Sequence, residues 1–487
     1  MTYLTSDANF SNLKFFAITA DSRKVDVGSL FLAYPGDKED GRDYIAQAIS
    51  NGVAGVMFDD TDFMWSDTWN VPHMGVMGLR HQAGKVADEF YEHPSQKLWM
   101  VGVTGTNGKT SVSQWIAQVF NALNRKTAVI GTLGNGFLID GDMAGLSPAV
   151  NTTPDAILLH GLLADYLEQD AEVVAMEVSS HGLDQGRVSG VHFDIAVFTN
   201  LSRDHLDYHG DMASYSAAKK KLFAWDGLNC AVVNIDDAFG RELVTDLIAN
   251  GKNVLTYGMG EGDINAKTCQ FENGSINMQV ATPHGEATLS AKVIGRFNAY
   301  NLLAVLATLL ASKVSLDDAV KVLTQIKSIP GRMQLLGGNN LPLVVVDYAH
   351  TPDALEKVLT TLKEQTSNKL ICVFGCGGNR DAGKRSVMGK IATEIADAVI
   401  VTSDNPRNEN TDEIIKQIVQ NITRHYIIET DRASAIAIAV LSAKAGDVVL
   451  IAGKGHEDYQ EIGGIKYHFS DVEQAKMALA LYEESLI

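Results

Sequence analysis

The run Val101-Gly-Val-Thr-Gly-Thr-Asn-Gly-Lys-Thr110 constrains the fold more than any other stretch of the chain. It reads as an apolar strand, a glycine loop, and a helix opened by Lys109 and Thr110. Glycines let backbone N–H groups approach an anion closely, and the helix N-terminus adds partial positive charge. Gly105, Thr106, Asn107, Gly108, Lys109, Thr110 and Ser111 are therefore the candidate nucleotide-binding residues. Lys109 would neutralise the β/γ-phosphates, and the Thr110 hydroxyl would ligate Mg²⁺. The spacing departs from a strict Walker A pattern, which would put glycine at position 103 where this chain has Val103.

A chain of 487 residues suggests about three domains at roughly 100–200 residues each. The apolar fraction of 46% and charged fraction of 20% are those of a water-soluble globular protein. A formal charge of −19 argues against nucleic-acid and anionic-membrane partners. It leaves room for anionic small molecules, because a local cluster of Arg, Lys and Mg²⁺ overrides the global field. Cys230, Cys269, Cys372 and Cys376 are too few and scattered for a disulfide framework, so reduced thiols and a cytoplasmic location are expected. The first residues show no basic and apolar signal pattern, and the apolar run 302–311 is too short to span a bilayer. A monomer is expected.

Strand and helix signals divide the chain into an α/β unit over 1–97, a central unit over 98–328 and a third α/β unit over 329–487. In the first, Leu30–Ala33 and Gly55–Phe58 read as strands, 36–41 as a polar loop, 44–51 as a helix and 93–97 as a linker. In the second, 98–104, 127–131, 172–178, 194–199 and 230–234 read as strands, and runs such as 173–176 and 195–198 within them are apolar throughout, as strands buried on both faces should be. This predicts a doubly wound parallel sheet of the P-loop type, with an antiparallel addition over 258–285 and a helix over 298–310. The third unit reads as Rossmann-like, with strands at 343–346, 370–374, 398–402 and 448–452. Polar loops follow those strands at 347–350, 375–380, 404–407 and 453–457. Ligands of open α/β sheets bind beyond the C-terminal ends of strands, so a site is expected there.

Glu177 ends a buried strand, a natural position for a Mg²⁺ ligand. His205, after the next strand, is a candidate ligand for a second metal ion, and 219–221 is a lysine run on the helix that follows.

Seven motifs together resemble the Mur ligase family: Gly105–Thr110, Glu177–His181, Asn200–His205, Gly295–Asn298, Gly331-Arg332, Asp347–His350 and Gly453–Glu457. Their order matches along nearly the whole chain. Within the family the set is most similar to the ligases that form the tripeptide. The resemblance implies ATP-dependent addition of meso-2,6-diaminopimelate to the D-Glu γ-carboxylate of UDP-MurNAc-L-Ala-D-Glu through an acyl phosphate. It implies two Mg²⁺ sites, one on Thr110 and Glu177 and one on His205 and Lys219, the latter carbamylated to an N6-carboxylysine. Lys109, Glu177, His205 and Lys219 would be the catalytic set. Asn298 would contact adenine, with Arg332 and Asp347 near phosphate and ribose; Asp347 reads equally as a turn residue. The uridine end would fall on Ala20, Ser22, Asp37, Lys38 and Glu39. The muramoyl dipeptide would fall on Asn151, Thr152, Thr153, Ser179, Gln185 and Arg187. Asp404, Asn405, Pro406 and Arg407 match the diaminopimelate pattern, with Arg380, Gly453 and Glu457 completing the pocket. Diaminopimelate carries a second carboxylate that lysine lacks, and an arginine fork binds a carboxylate through paired charge-assisted hydrogen bonds.

Other readings stay open on the residues alone. They are a lysine-adding relative, a folylpolyglutamate-type ligase, and a nucleotide-dependent switch that performs no amide chemistry.

Overall fold

The computed structural model describes residues 10, 13–37, 39–139, 145–272 and 275–485; Lys38 lies outside the described residues. The chain divides into two compact units. One comprises 1–268, 279–289 and 300–325, and the other 269–278, 290–299 and 326–487.

The first unit opens with a parallel sheet of Ala17–Thr19, Ser29–Ala33, Gly55–Phe58 and His73–Gly75, in that order. Strand residues alternate between faces. Leu30 and Leu32 accordingly pack with Leu79, Ala83 and Val86 of the helix Leu79–Phe90, while Phe31 and Ala33 pack with Ile45 and Ala48 of the helix Ile45–Ser50. The expected linker at 93–97 is instead a 3-10 turn, Pro94–Lys97. Pro94 suits the first helical position because it has no N–H to leave unpaired. The buried Ser95 accepts a hydrogen bond from the His192 N–H at 2.9 Å, which ties the turn down.

The larger sheet of this unit holds the expected strands. Val254–Gly258, Cys230–Asn234, Ile195–Phe198, Trp99–Thr104, Val173–Glu177 and Thr127–Gly131 lie side by side and parallel. Trp99–Thr104 is central, with later strands added on both sides. It is therefore the topological switch point, where such sheets open a crevice. Two short antiparallel strands, Gly134–Phe137 and Leu146–Ser147, extend one edge. At the other edge Ile264–Glu272 joins through a short parallel step, so the expected antiparallel addition does not begin at Gly258. Ser275–Thr282 and Gly285–Ala291 follow it in the sheet, although 269–278 and 290–291 are counted with the second unit.

The second unit is built on Gln334–Gly337, Leu343–Asp347, Val448–Ala452, Leu370–Phe374, Ala398–Val401 and Ile427–Ile428, parallel except for the first. Val345 faces the helices Pro352–Gln365, Gly383–Ile395 and Thr411–Val419, and Val344 and Val346 face Arg432–Ser442 and Asp471–Glu484. Thr351, Asn410, Asp431 and Ser470 cap four of these helices, each accepting from an N–H of the first turn. An exposed hairpin, Tyr459–Ile462 and Ile465–His468, follows the Val448–Ala452 strand and its loop. All four cysteines are free thiols. Among the described residues no helix is long and apolar enough to cross a membrane.

Candidate functional site

The glycine loop joins the central strand Trp99–Thr104 to the helix Lys109–Ala122. Gly105 has φ of 150°, and a Cβ there would lie 1.9 Å from Thr199 Oγ1. Only glycine fits such a close approach. The loop is strapped by the segment after the neighbouring strand. Asn107 N–H donates to Asn200 Oδ1 at 3.0 Å, and Asn200 Nδ2 returns a bond to Asn107 O at 3.0 Å. Thr199 Oγ1 donates to the same carbonyl at 2.6 Å, and Thr106 Oγ1 lies 3.1 Å from the Tyr215 hydroxyl. The sequence reading gave Thr199, Asn200 and Tyr215 no role, although Asn200 opens one of its motifs.

Two lysines converge on one carbonyl. Lys109 Nζ donates to Gly105 O at 2.9 Å and to Thr106 O at 3.0 Å, while Lys219 Nζ donates to Gly105 O at 2.9 Å. Lys219 is 1% exposed, with its amine 4.5 Å from the Tyr215 ring centroid. Burial first, and then the Lys109 charge, hold this amine well below the usual lysine range. A neutral amine is the nucleophilic form.

Thr110 Oγ1 donates to Glu177 Oε2 at 3.0 Å, bringing together the two residues assigned to one Mg²⁺ site. The Thr132 N–H donates to Glu177 Oε1 at 2.8 Å, a partner the sequence did not reveal. Among the described residues, no three His, Cys, Asp or Glu side chains form a metal-holding group. The sparse hydroxyl–carboxylate pair suits Mg²⁺, which keeps waters and phosphate oxygens in its shell. Glu177 Oε2 also accepts from Thr132 Oγ1 at 3.2 Å, whereas Oε1 has one bond and retains acceptor capacity. His205 has φ of 54° and its ring centroid lies 4.9 Å from that of His181. Burial lowers its pKa, as do the charges of Lys109 and Lys219, against Asp204.

Most residues assigned to the muramoyl dipeptide form one network. Thr153 Oγ1 donates to Glu177 O at 2.9 Å and accepts from Ser179 N–H at 2.9 Å. Arg187 Nη1 donates to Thr153 O at 2.9 Å, and its Nε donates to Gln185 Oε1 at 2.9 Å. Gln185 Nε2 donates to Asp37 Oδ2 at 3.2 Å, and Arg80 pairs with Asp37 at 2.7 Å. Thr152 Oγ1 lies 3.0 Å from Thr132 Oγ1. Asn151 is exposed. Ser22 bonds Gln47 at 3.0 Å, Glu39 accepts from the Tyr44 hydroxyl at 3.2 Å, and Ala20 packs against the apolar core.

The remaining assigned residues belong to the second unit. Asn298 is buried, its Nδ2 donating to Ile294 O at 2.8 Å. The Arg332 guanidinium carbon lies 4.6 Å from the Tyr348 ring centroid. Asp347 accepts from Ala349 N–H in a turn and from the distant Met333 N–H, both at 2.8 Å, so each of its oxygens has a backbone partner. Burial raises its pKa against Arg332 and these bonds.

Three loops of this unit interlock. Gly378 N–H donates to Asn405 O at 2.8 Å, and Arg407 Nη1 donates to Gly378 O at 2.9 Å. Gly453 has φ of 119°, and a Cβ there would lie 2.7 Å from Asp404 Oδ2. Asn405 Nδ2 donates to Glu457 Oε2 at 2.8 Å, and the buried Lys454 Nζ reaches the same oxygen at 3.1 Å and Asn405 Oδ1 at 3.0 Å. Pro406 presents its carbonyl oxygen to Gly378, 1.9 Å from where a Cβ would stand. Arg380 is exposed at the end of its loop. Beneath them a fully buried pair, Arg432 and Asp471, meets at 2.7 Å. The same guanidinium donates to Ser403 O at 3.2 Å and Ala452 O at 3.0 Å, bracing the strand ends that carry two of the loops.

Family models match three successive stretches: Mur ligase family, catalytic domain, over 14–91; Mur ligase middle domain over 103–309; and Mur ligase, glutamate ligase domain, over 331–455. A protein of Nitrosomonas europaea is 49% identical over 97% of this chain and 94% of its own length. The chain belongs to the Mur ligase family. That relative and one from Chromobacterium violaceum, 50% identical over 96% of this chain and 94% of its own length, are both named UDP-N-acetylmuramoyl-L-alanyl-D-glutamate--2,6-diaminopimelate ligase. A solved structure of a ligase with that name is 36% identical, covers 98% of this chain and 97% of its own, and superposes with a TM-score of 0.74. As a Mur ligase the chain thus carries the family's three sequence domains, with the glycine loop in the middle one and the interlocked loops in the third.

Proposed function

We propose that this Mur ligase adds meso-2,6-diaminopimelate to UDP-MurNAc-L-Ala-D-Glu at the expense of ATP, in the cytoplasm and as a monomer. The domains are 1–97 for the UDP-sugar, 98–328 for ATP and 329–487 for the amino acid. The observation that carries the reading is Arg407, bonded to Gly378 O in a set of interlocked loops that also holds Glu457 through Asn405, in a chain about half identical to ligases named for diaminopimelate.

The D-Glu γ-carboxylate attacks the γ-phosphorus of ATP, and ADP leaves with the bridging oxygen. The amino-acid amine then attacks the acyl phosphate, loses a proton, and inorganic phosphate departs from the tetrahedral intermediate. Lys109 meets the β/γ-phosphate charge, and the loop N–H groups from Gly105 to Ser111 orient the polyphosphate. Thr110 and Glu177 would hold one Mg²⁺, and His205 and Lys219 the other. Mg²⁺ supplies charge neutralisation where two anions meet. The depressed amine of Lys219 adds to the carbon of CO₂ and loses its proton, leaving an anionic carbamate. That converts a buried neutral amine beside Lys109 into its counter-charge. Asn298, Arg332 and Asp347 serve the nucleotide from the C-terminal side. Asn151, Thr152, Thr153, Ser179, Gln185 and Arg187 receive the muramoyl dipeptide, while Ala20, Ser22, Asp37 and Glu39 serve the uridine end. Arg407 takes the distal carboxylate, and Glu457 takes the distal ammonium through the oxygen that Lys454 and Asn405 leave free.

The test is phosphate release from ATP with UDP-MurNAc-L-Ala-D-Glu and either meso-diaminopimelate or L-lysine, with the product weighed by mass spectrometry. Release only with diaminopimelate, yielding the tripeptide, is expected. Release with lysine instead would overturn the amino-acid assignment, and no release with either would overturn the ligase.

A further inference from the structure

Arg407 has a backbone that an arginine rarely adopts, with φ of 53°. Such a conformation is strained and persists only where surrounding structure over-determines it. Here the exposed hairpin after the 453–457 loop supplies the restraint. Arg407 N–H donates to Glu461 O at 2.9 Å, and Gly463 N–H donates to Arg407 O at 2.7 Å. Both backbone groups of the strained residue are therefore bonded to one short strand and its turn.

The hairpin also grips the side chains of the loop. Gln460 Nε2 donates to Ser403 Oγ at 2.8 Å and Asp404 O at 2.7 Å, and Glu461 N–H donates to Asn405 Oδ1 at 2.9 Å. Glu461 Oε2 lies 3.2 Å from Arg407 Nε, with the two side chains about a fifth to a quarter exposed (19% and 24%). The other strand of the hairpin, Ile465–His468, is exposed along its length. A two-stranded hairpin is marginal by itself in water. Its order here is bound to the loop it grips.

We infer that Glu461 is a positioning and specificity residue for the amino-acid substrate, acting through Arg407. The inference rests on the diaminopimelate reading above. Glu461 lies on the Nε side of the guanidinium and Gly378 O takes one Nη1 hydrogen, which leaves the other Nη1 hydrogen and both on Nη2 as donors for an incoming carboxylate. Two effects of Glu461 oppose each other. Its charge competes with the substrate carboxylate for Arg407, and its contact fixes the fork before substrate arrives. A partly exposed ion pair contributes little Coulomb energy, whereas ordering a long side chain in advance removes a cost of binding. Orientation therefore wins.

Glu461→Ala and Glu461→Gln in the full chain test this, with thermal melting of each variant as a check on folding. Glu461→Ala is expected to raise the KM for diaminopimelate about tenfold, leave the KM for ATP unchanged, and narrow the preference for diaminopimelate over lysine. Glu461→Gln keeps an acceptor for Nε and is expected to recover most of the KM and the preference. A KM for diaminopimelate within twofold of the unaltered protein in Glu461→Ala would overturn the inference. So would a lower KM in both variants, which would make Glu461 a competitor, or an equal rise in both substrates' KM, which would make it merely structural. Failure of the unaltered protein to use diaminopimelate would overturn the reading beneath as well, and failure confined to the variants this inference alone.

Discussion

Gly105 and Arg407 both carry backbone at positive φ beside a candidate ligand site, but different neighbours hold them. Gly105 follows the central strand of its sheet, and its loop is strapped by Thr199 and Asn200 at the end of the adjacent strand. Arg407 is held by other loops, Gly378 on one side and the hairpin residues Glu461 and Gly463 on the other. A phosphate is common to all nucleotide substrates, and a loop between buried strand ends can be rigid once and for all. The amino acid differs between relatives of one fold, and a loop held by loops can change its contents without disturbing the sheet. On the proposed reading, the first region performs the chemistry and the second chooses the substrate.

Substitutions at each region should therefore fail in different ways. The largest effect is expected from Lys109→Ala, a loss of about 10³-fold in kcat with the diaminopimelate-to-lysine preference unchanged. Steady-state kinetics with both amino acids reads it, and near-normal turnover would break the assignment of the glycine loop. Next, Asp471→Ala leaves Arg432 buried and unpaired, and should cost about 3 kcal/mol in urea unfolding. A double replacement, Arg432→Met with Asp471→Leu, should restore much of that stability but not the loop geometry, so the KM for diaminopimelate stays raised. Full recovery of the KM would show that the bracing of Ser403 and Ala452 is dispensable. Arg407→Ala should raise the KM for diaminopimelate about 10²-fold, since the substrate's distal carboxylate then has no partner.

The smallest expected effect is a dependence on pH. Burial and the neighbouring Arg332 push His456 down to about 4. The unfolded chain takes up this proton at the ordinary value of about 6.5, so it binds more protons than the folded chain between those values. The contribution is fully present above about pH 6.5 and is lost as the pH falls toward about 4. Between about pH 7 and pH 5 this amounts to about 2 kcal/mol. His456→Phe should lose less stability over that interval in urea titrations, and an unchanged slope would contradict the assignment.

The sequence exposed the two regions unequally. Strands such as Val173–Glu177 and Val448–Ala452 are buried on both faces, so their apolar runs were readable. The loops after them were readable too, because glycine and the charged residues stand where strands end. Short edge strands such as Leu146–Ser147 carry too few residues for a pattern. The Pro94 turn resembled a linker because the contact between Ser95 and His192 is tertiary. Nothing local in Asp404–Arg407 announces that Arg407 adopts positive φ, since the cause is a hairpin far along the chain. The dipeptide Gly463-Gly464 between alternating residues was the one signal that could have found that hairpin. Glu461, Gln460 and Lys454 escaped for the same reason: their roles exist only once the loops are brought together.

The division of labour is tested most directly by the ratio of kcat/KM for meso-diaminopimelate to that for L-lysine, measured in the unaltered protein, Lys109→Arg and Arg407→Ala. The account predicts a high ratio in the unaltered protein, the same ratio at lower activity in Lys109→Arg, and a ratio reduced about 10²-fold in Arg407→Ala. A ratio that survives the loss of Arg407, or falls with the change at Lys109, would contradict it.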